Sequence, residues 1–183
     1  MGRIEDLADV YHEHVNLPWQ SSLAGAQRVL MVVYDKHLER TLRARLDEFR
    51  QRTISAGHRW QLIDMTTWFS EWLSEQDYRE AYFEDPDALG TKVGSFTKHA
   101  ISELISLMKC SDANTVVGVM GTASLYGFMR LSELINEVEP YISGRLLVFF
   151  PGVKNGTNYR LLDARDGWNY LATGITLGGQ GGM

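Results

Sequence analysis

The stretch from Gly144 to Tyr170, GRLLVFFPGVKNGTNYRLLDARDGWNY, decides how the rest of the chain is read. Its opening run, Arg145 to Phe150, is apolar after the arginine and does not alternate, which is the pattern of a strand covered on both faces. Pro151-Gly152 reads as the stop of that strand. Asn155-Gly156 then marks a turn before a second short apolar run, Tyr159-Arg160-Leu161-Leu162. Asp163 to Tyr170 crowds charge, glycine and aromatics together. This last segment has two readings. In one, Asp166-Gly167 makes a turn and Trp168 and Tyr170 cover a sheet edge as an aromatic lid; in the other, the arginine and aromatics anchor a protein interface, where such residue types carry most of the binding energy.

Outward from this segment the chain alternates strands and helices. Arg28 to Asp35 is a Val-rich buried strand ending in an acid, and Leu38, Leu42, Leu46 and Phe49 recur at helical spacing over residues 37 to 52. Trp60 to Thr66 and Thr115 to Gly121 read as two more buried strands, which with the strand at 145 makes four. Between them lies a helical middle, with Trp68, Phe69, Trp72 and Leu73 in one cluster and Ala100, Ile101, Leu104, Ile105 and Met108 in another. Asp85-Pro86 and Gly90 mark the break between these clusters. A helix through Phe128, Leu131, Leu134, Ile135 and Val138 leads back to the strand at 145. The expectation is a three-layer α/β domain with a mainly parallel sheet of about four to six strands, a P-loop-like or Rossmann-like core without a phosphate loop.

Composition agrees with one cored domain. The 183 residues are 44% hydrophobic and 22% charged, which suits a single unit rather than two. Its expected parts are an N-terminal helix and connection over 1–27, a core over 28–175 and a flexible Gly-rich tail over 176–183. The formal charge of −5 argues against a dedicated nucleic-acid binder, so DNA contact is expected to be indirect or weak. The single cysteine, Cys110, excludes an internal disulfide and a multi-cysteine zinc site. The N-terminus carries acids where a secretory signal needs an apolar core, and no run approaches the ~18 apolar residues of a membrane span. A cytoplasmic protein with no membrane partner is expected.

The residues at the strand ends offer little catalytic chemistry. In open α/β sheets ligands gather beyond the carboxyl ends of the strands, here Asp35-Lys36-His37, Asp64-Met65-Thr66, Thr122-Ala123-Ser124 and Pro151-Gly152. Neither glycine-rich phosphate motif occurs, and the turn after the first strand has no glycine, so no nucleotide cofactor is expected. Asp35, Asp64, Asp163 and Asp166 could serve a magnesium-dependent nuclease or hydrolase if they converged; capping and turn roles are the plainer reading. His12 and His14 lie two apart on a helix and point to different faces, which does not suit a shared metal. Ser124 lacks a nucleophile-elbow setting and Cys110 lacks a local motif. Lys36, Arg40, Arg43 and Arg50 fall on one face of the 37 to 52 helix, a possible grip for nucleic acid or an acidic partner.

Leu146-Leu-Val-Phe-Phe-Pro-Gly152, Tyr159-Arg-Leu-Leu-Asp-Ala-Arg-Asp-Gly-Trp-Asn-Tyr170 and Arg28-Val-Leu-Met-Val-Val-Tyr-Asp35 together resemble the BrxB family of bacterial BREX phage-exclusion systems, over Val29 to Ile175. The second of these motifs is the specific one. The resemblance implies antiviral defence, alongside a PglZ-type phosphatase-like protein, a DNA adenine methyltransferase and a large ATPase. It brings no catalytic motif, so the expectation is a non-enzymatic adaptor that binds the PglZ-type protein and helps assemble the complex, with a homodimer as a further possibility. The expected contact residues are Arg160, Arg165, Asp166, Trp168 and Tyr170. The alternatives are a degenerate nucleotide- or DNA-sensing domain and the magnesium-dependent nuclease.

Overall fold

Successive residues of the first strand point into two separate apolar layers, and helices cover both. The computed structural model describes residues 2–164 and 167–177. In chain order the elements are α1 (Arg3–Val15), β1 (Val29–Tyr34), α2 (Glu39–Ala44), α3 (Leu46–Ser55), β2 (Arg59–Asp64), α4 (Trp68–Ser74), α5 (Arg79–Glu84) and α6 (Val93–Met108). There follow β3 (Thr115–Met120), α7 (Leu131–Val138), β4 (Arg145–Asn155), β5 (Asn158–Leu161), β6 (Trp168–Asn169) and β7 (Thr173–Ile175). The strands β2, β3, β4, β1 and β7 lie side by side in that order and are parallel. β5 pairs antiparallel with the outer part of β4, and β6 with β5. The expected α/β architecture with a mainly parallel sheet is therefore present.

On one face Val29, Met31, Val33, Val119, Val148 and Phe150 pack against Trp72, Phe96, Leu104, Leu134 and Val138 of α4, α6 and α7. On the other, Leu30, Val32, Tyr34, Leu147 and Phe149 pack against Leu7, Tyr11, Leu42 and Phe49 of α1, α2 and α3. Each fully buried side chain of this size contributes about 1.5–3 kcal/mol by leaving water, so these two layers hold the fold. The connection from β1 to β2 runs over the second face toward one edge. The return through β3 and β4 runs over the first, as crossovers of a single hand require.

Several local expectations change. Pro151-Gly152 does not end the strand: β4 runs on to Asn155, and the pair sits where β4 exchanges one neighbour for another. Tyr34 opposite Pro151 is the last parallel rung with β1, and Gly152 opposite Leu161 is the innermost antiparallel rung with β5. A Cβ at Gly152 would lie 2.2 Å from the Arg160 carbonyl oxygen, so the close approach of β5 needs glycine there. β2 is not a buried strand; at the sheet edge only Ile63 is buried. The 37 to 52 helix breaks at Arg45 (φ −117°, ψ 13°), whose side chain is tied to Glu5 of α1 at 3.1 Å. The helix expected through Phe128 starts only at Leu131, after Gly127 at φ +89°. Leu177, inside the span expected as a tail, packs on the core, and 178–183 lie outside the described residues.

Candidate functional site

Arg43 ties the carboxyl ends of the strands together. It lies on α2, one turn from Glu39, and its three nitrogens reach three partners: Nε donates to Glu39 Oε1 at 2.9 Å, Nη1 to Asp64 Oδ2 at 3.1 Å and Nη2 to Thr66 Oγ1 at 2.7 Å. Glu39 also accepts from the Tyr34 hydroxyl at the end of β1. Asp64 Oδ1 accepts from the Thr66 amide at 3.0 Å. Gly121, just past β3 at φ +76°, backs the cluster so closely that a Cβ would come within 2.5 Å of Thr66 Oγ1 and 2.8 Å of Asp64 Oδ1. Partial burial works against the Asp64 charge, but the Thr66 hydroxyl and amide and the Arg43 guanidinium outweigh it and hold the carboxyl below its ordinary range. Burial likewise works against Arg43, and Asp64 and Glu39 more than compensate. Burial, then Glu39, pushes the Tyr34 phenol far upward.

The remaining strand-end acids do not join this cluster. Asp35 Oδ1 accepts from the His37 amide at 2.9 Å and caps a short turn. β4 and β3 stand between β1 and β2, so the ends carrying Asp35 and Asp64 are three strand spacings, about 14 Å, apart. Two-metal chemistry holds its ions about 3.5–4 Å apart, and this pair does not converge on that scale. Among the described residues no group of three or more His, Cys, Asp or Glu is placed to hold a metal. Asp163 pairs with Lys36, and that contact lowers its pKa; Asp166 lies outside the described residues. His14 Nδ1 lies 3.1 Å from the Val10 carbonyl oxygen, Ser124 Oγ donates toward Gly121 and Met65 carbonyls, and Cys110 is exposed.

The expected basic stripe is not an open one. Lys36 sits in a turn ahead of α2 and pairs with Asp163, Arg43 is committed as above, and Arg50 lies beyond the break on α3, paired with Asp47 at 2.9 Å. Arg40 is exposed and has no ion pair among the described residues.

The aromatics of the hairpin region face the sheet. Trp168 meets Phe150 edge-on at 5.6 Å and Tyr159 at 5.7 Å. Tyr159 is fully buried, its hydroxyl donates to the Ala172 carbonyl at 3.1 Å, and burial pushes its pKa up to about 12. Tyr170 is buried too, and its hydroxyl donates to Glu139 Oε2 at 2.7 Å. Burial, then Glu139, shifts that phenol well upward. Tyr170 is thus a tether rather than the contact residue expected from the sequence, and Trp168 is half-buried. Arg160 is exposed as an anchor would need, while Arg165 and Asp166 lie outside the described residues. A cleft of about 490 Å³ opens between residues 126–133 and the hairpin, lined by Tyr126, Phe128, Met129, Leu161 and Trp168, with Arg130 beside it.

Tyr126 and Tyr141 are exposed as well, but the two most exposed aromatics among the described residues lie elsewhere, on the segment from Ser74 to Gly90. α5 buries none of its residues, and Tyr78 and Phe83 are 76% and 70% exposed. From Glu71 to Asp87 there are seven acids and one base, Arg79, a net −6 against −5 for the whole chain; the rest of the chain therefore sums to +1. None of the seven acids is ion-paired among the described residues. The acid excess is legible in the sequence, and Tyr78 and Phe83 are not among the contact residues expected from it. Their spacing of five, off the i, i+3, i+4 steps of a buried stripe, was the available signal. No family model matches the chain, and no curated protein or solved structure matches it.

Proposed function

We propose that this chain is a non-catalytic assembly component of a BREX-type phage-defence system that works by binding the PglZ-type phosphatase-like protein. The observation that carries the docking role is the Ser74 to Gly90 segment, which shows two large aromatics and an unneutralised acidic field to solvent. Exposed tyrosine and phenylalanine beside unpaired charge are what an interface core and rim require. The sign of the field calls for a basic partner surface with apolar seats. At the strand ends Arg43, Asp64, Glu39 and Thr66 satisfy one another, which supports a scaffolding role for the part of the fold where ligands usually bind. The pathway itself rests on the resemblance of the 146–152, 159–170 and 28–35 segments.

Co-purification with the PglZ-type protein, with mass measured by light scattering, tests the reading. The wild-type chain forms a stoichiometric complex at low salt that weakens as salt screens the acidic field. The Tyr78→Ala, Phe83→Ala double variant stays folded and loses the complex. Separate migration of the two wild-type proteins at every salt concentration overturns the proposal.

A further inference from the structure

At the amino ends of the strands, opposite the Arg43 cluster, a buried cation has no counter-charge. Arg145, the first residue of β4, is only 9% exposed. Among the described residues its side chain makes one hydrogen bond, from Nη1 to the Gly144 carbonyl at 3.0 Å, and no ion pair. A charge removed from water normally has an opposite charge beside it, because desolvation otherwise costs several kcal/mol. Burial, and then the second cation Arg28, push the Arg145 guanidinium toward losing its proton. Arg28 is itself fully engaged, with Nε, Nη1 and Nη2 donating to the Leu23, Ile142 and Ser21 carbonyls.

The orientation of Arg145 is fixed. Its guanidinium carbon lies 4.6 Å from the centroid of the Trp19 ring. Trp19 is held by its indole N–H on the Val15 carbonyl at 3.1 Å, and its other neighbour, His58, stacks on it at 3.7 Å and 10°. A guanidinium has five N–H donors in a planar fork. The side-chain polar atoms that are both sealed from solvent and unpartnered, among the described residues, are His12 Nδ1 and Trp168 Nε1. The spare donors of Arg145 are not among them, so each keeps some contact with solvent although the residue as a whole is buried.

We propose that Arg145, oriented by Trp19 and reinforced by Arg28, is the anchor of a phosphate-binding site. A preset fork accepts two oxygens of one anion without losing rotamer freedom. Two adjacent positive charges favour a phosphate group, at about −1.5 to −2 near pH 7, over a singly charged carboxylate. The site is independent of the docking segment and needs no partner protein.

The test is thermal unfolding and calorimetric titration of the full chain with inorganic phosphate and, separately, phenyl phosphate, each against chloride at matched ionic strength. Phosphate salts stabilise proteins non-specifically, so the decisive comparison is with Arg145→Met in the same buffers. Removing an uncompensated buried charge while keeping the aliphatic stem leaves that variant folded. The wild-type midpoint rises by about 5 °C more than that of the variant at saturating phosphate. Arg145→Lys keeps the charge without the fork and binds at least about tenfold more weakly. Binding of phenyl phosphate supports a site for a phosphate carried on a larger molecule; binding of inorganic phosphate alone supports one for the free ion. An equal rise in wild type and Arg145→Met, with no titration heat from either ligand, overturns the proposal.

Discussion

Arg43 and Asp64 meet at 3.1 Å although the strand before Arg43 and the strand ending at Asp64 are separated by two others. The helix that crosses from β1 toward β2 brings the guanidinium to the far edge of the sheet. There it joins Glu39, Asp64 and Thr66 in one network.

Arg43→Met removes three charge-assisted bonds and leaves two carboxylates facing each other. Because the side chains are about a third exposed, solvent screening keeps the loss modest, about 1–2 kcal/mol in urea unfolding. Arg43→Lys restores the charge but not the three-way geometry and recovers less than half. A Met variant as stable as wild type would show that the network contributes nothing.

Asp64 makes acid sensitivity a readable quantity. Its folded pKa is depressed, so its stabilisation is present above the ordinary value near 3.9 and is lost as pH falls through the lower folded value. Asp64→Asn is therefore less stable than wild type at about pH 6, and the two denaturation midpoints converge toward about pH 3. A gap that stays constant over that range would contradict the assignment.

Gly121 and Gly127 both have positive φ, but only Gly121 is crowded, with Thr66 N 2.6 Å and Thr66 Oγ1 2.5 Å from the position a Cβ would take. Gly127→Ala meets nothing within 4 Å and carries the backbone strain alone, about 1 kcal/mol. Gly121→Ala adds displacement of the Asp64–Thr66 turn and loses at least about 2 kcal/mol. Equal losses in the two variants would remove the close approach from the account.

Tyr170→Phe and the Tyr78→Ala, Phe83→Ala pair separate tethering from docking. Loss of the Glu139 bond costs Tyr170→Phe about 1 kcal/mol of stability while partner binding stays intact. The exposed pair changes stability by less than about 0.5 kcal/mol and abolishes binding. The reverse pattern would return the interface to the hairpin.

The layers of the fold were legible because burial on both sides of a parallel sheet writes itself locally, as in the unbroken runs Val29 to Tyr34 and Leu146 to Phe150. The helical stripe of Leu38, Leu42, Leu46 and Phe49 likewise records its own covered face, and Leu42 and Phe49 are its buried members. Strand order was not legible, since β2 looks like a core strand until its place at the edge leaves it half bare. Pro151-Gly152 misled for a related reason: a residue pair that ends most strands serves here to change partners, and the partner is supplied by a distant hairpin.

What the sequence by itself determined is the α/β class and its two apolar layers, because hydrophobic periodicity depends on near neighbours along the chain. Which polar residues meet was decided only by tertiary structure. Arg43 with Asp64, Tyr170 with Glu139 and Arg145 with Trp19 are each brought together by sheet order and crossover direction, and no local spacing encodes those contacts. The same applies to exposure. Tyr170 and Tyr78 are the same residue type beside acids, and one is buried as a tether while the other is bare because only one of them has a sheet to lie against.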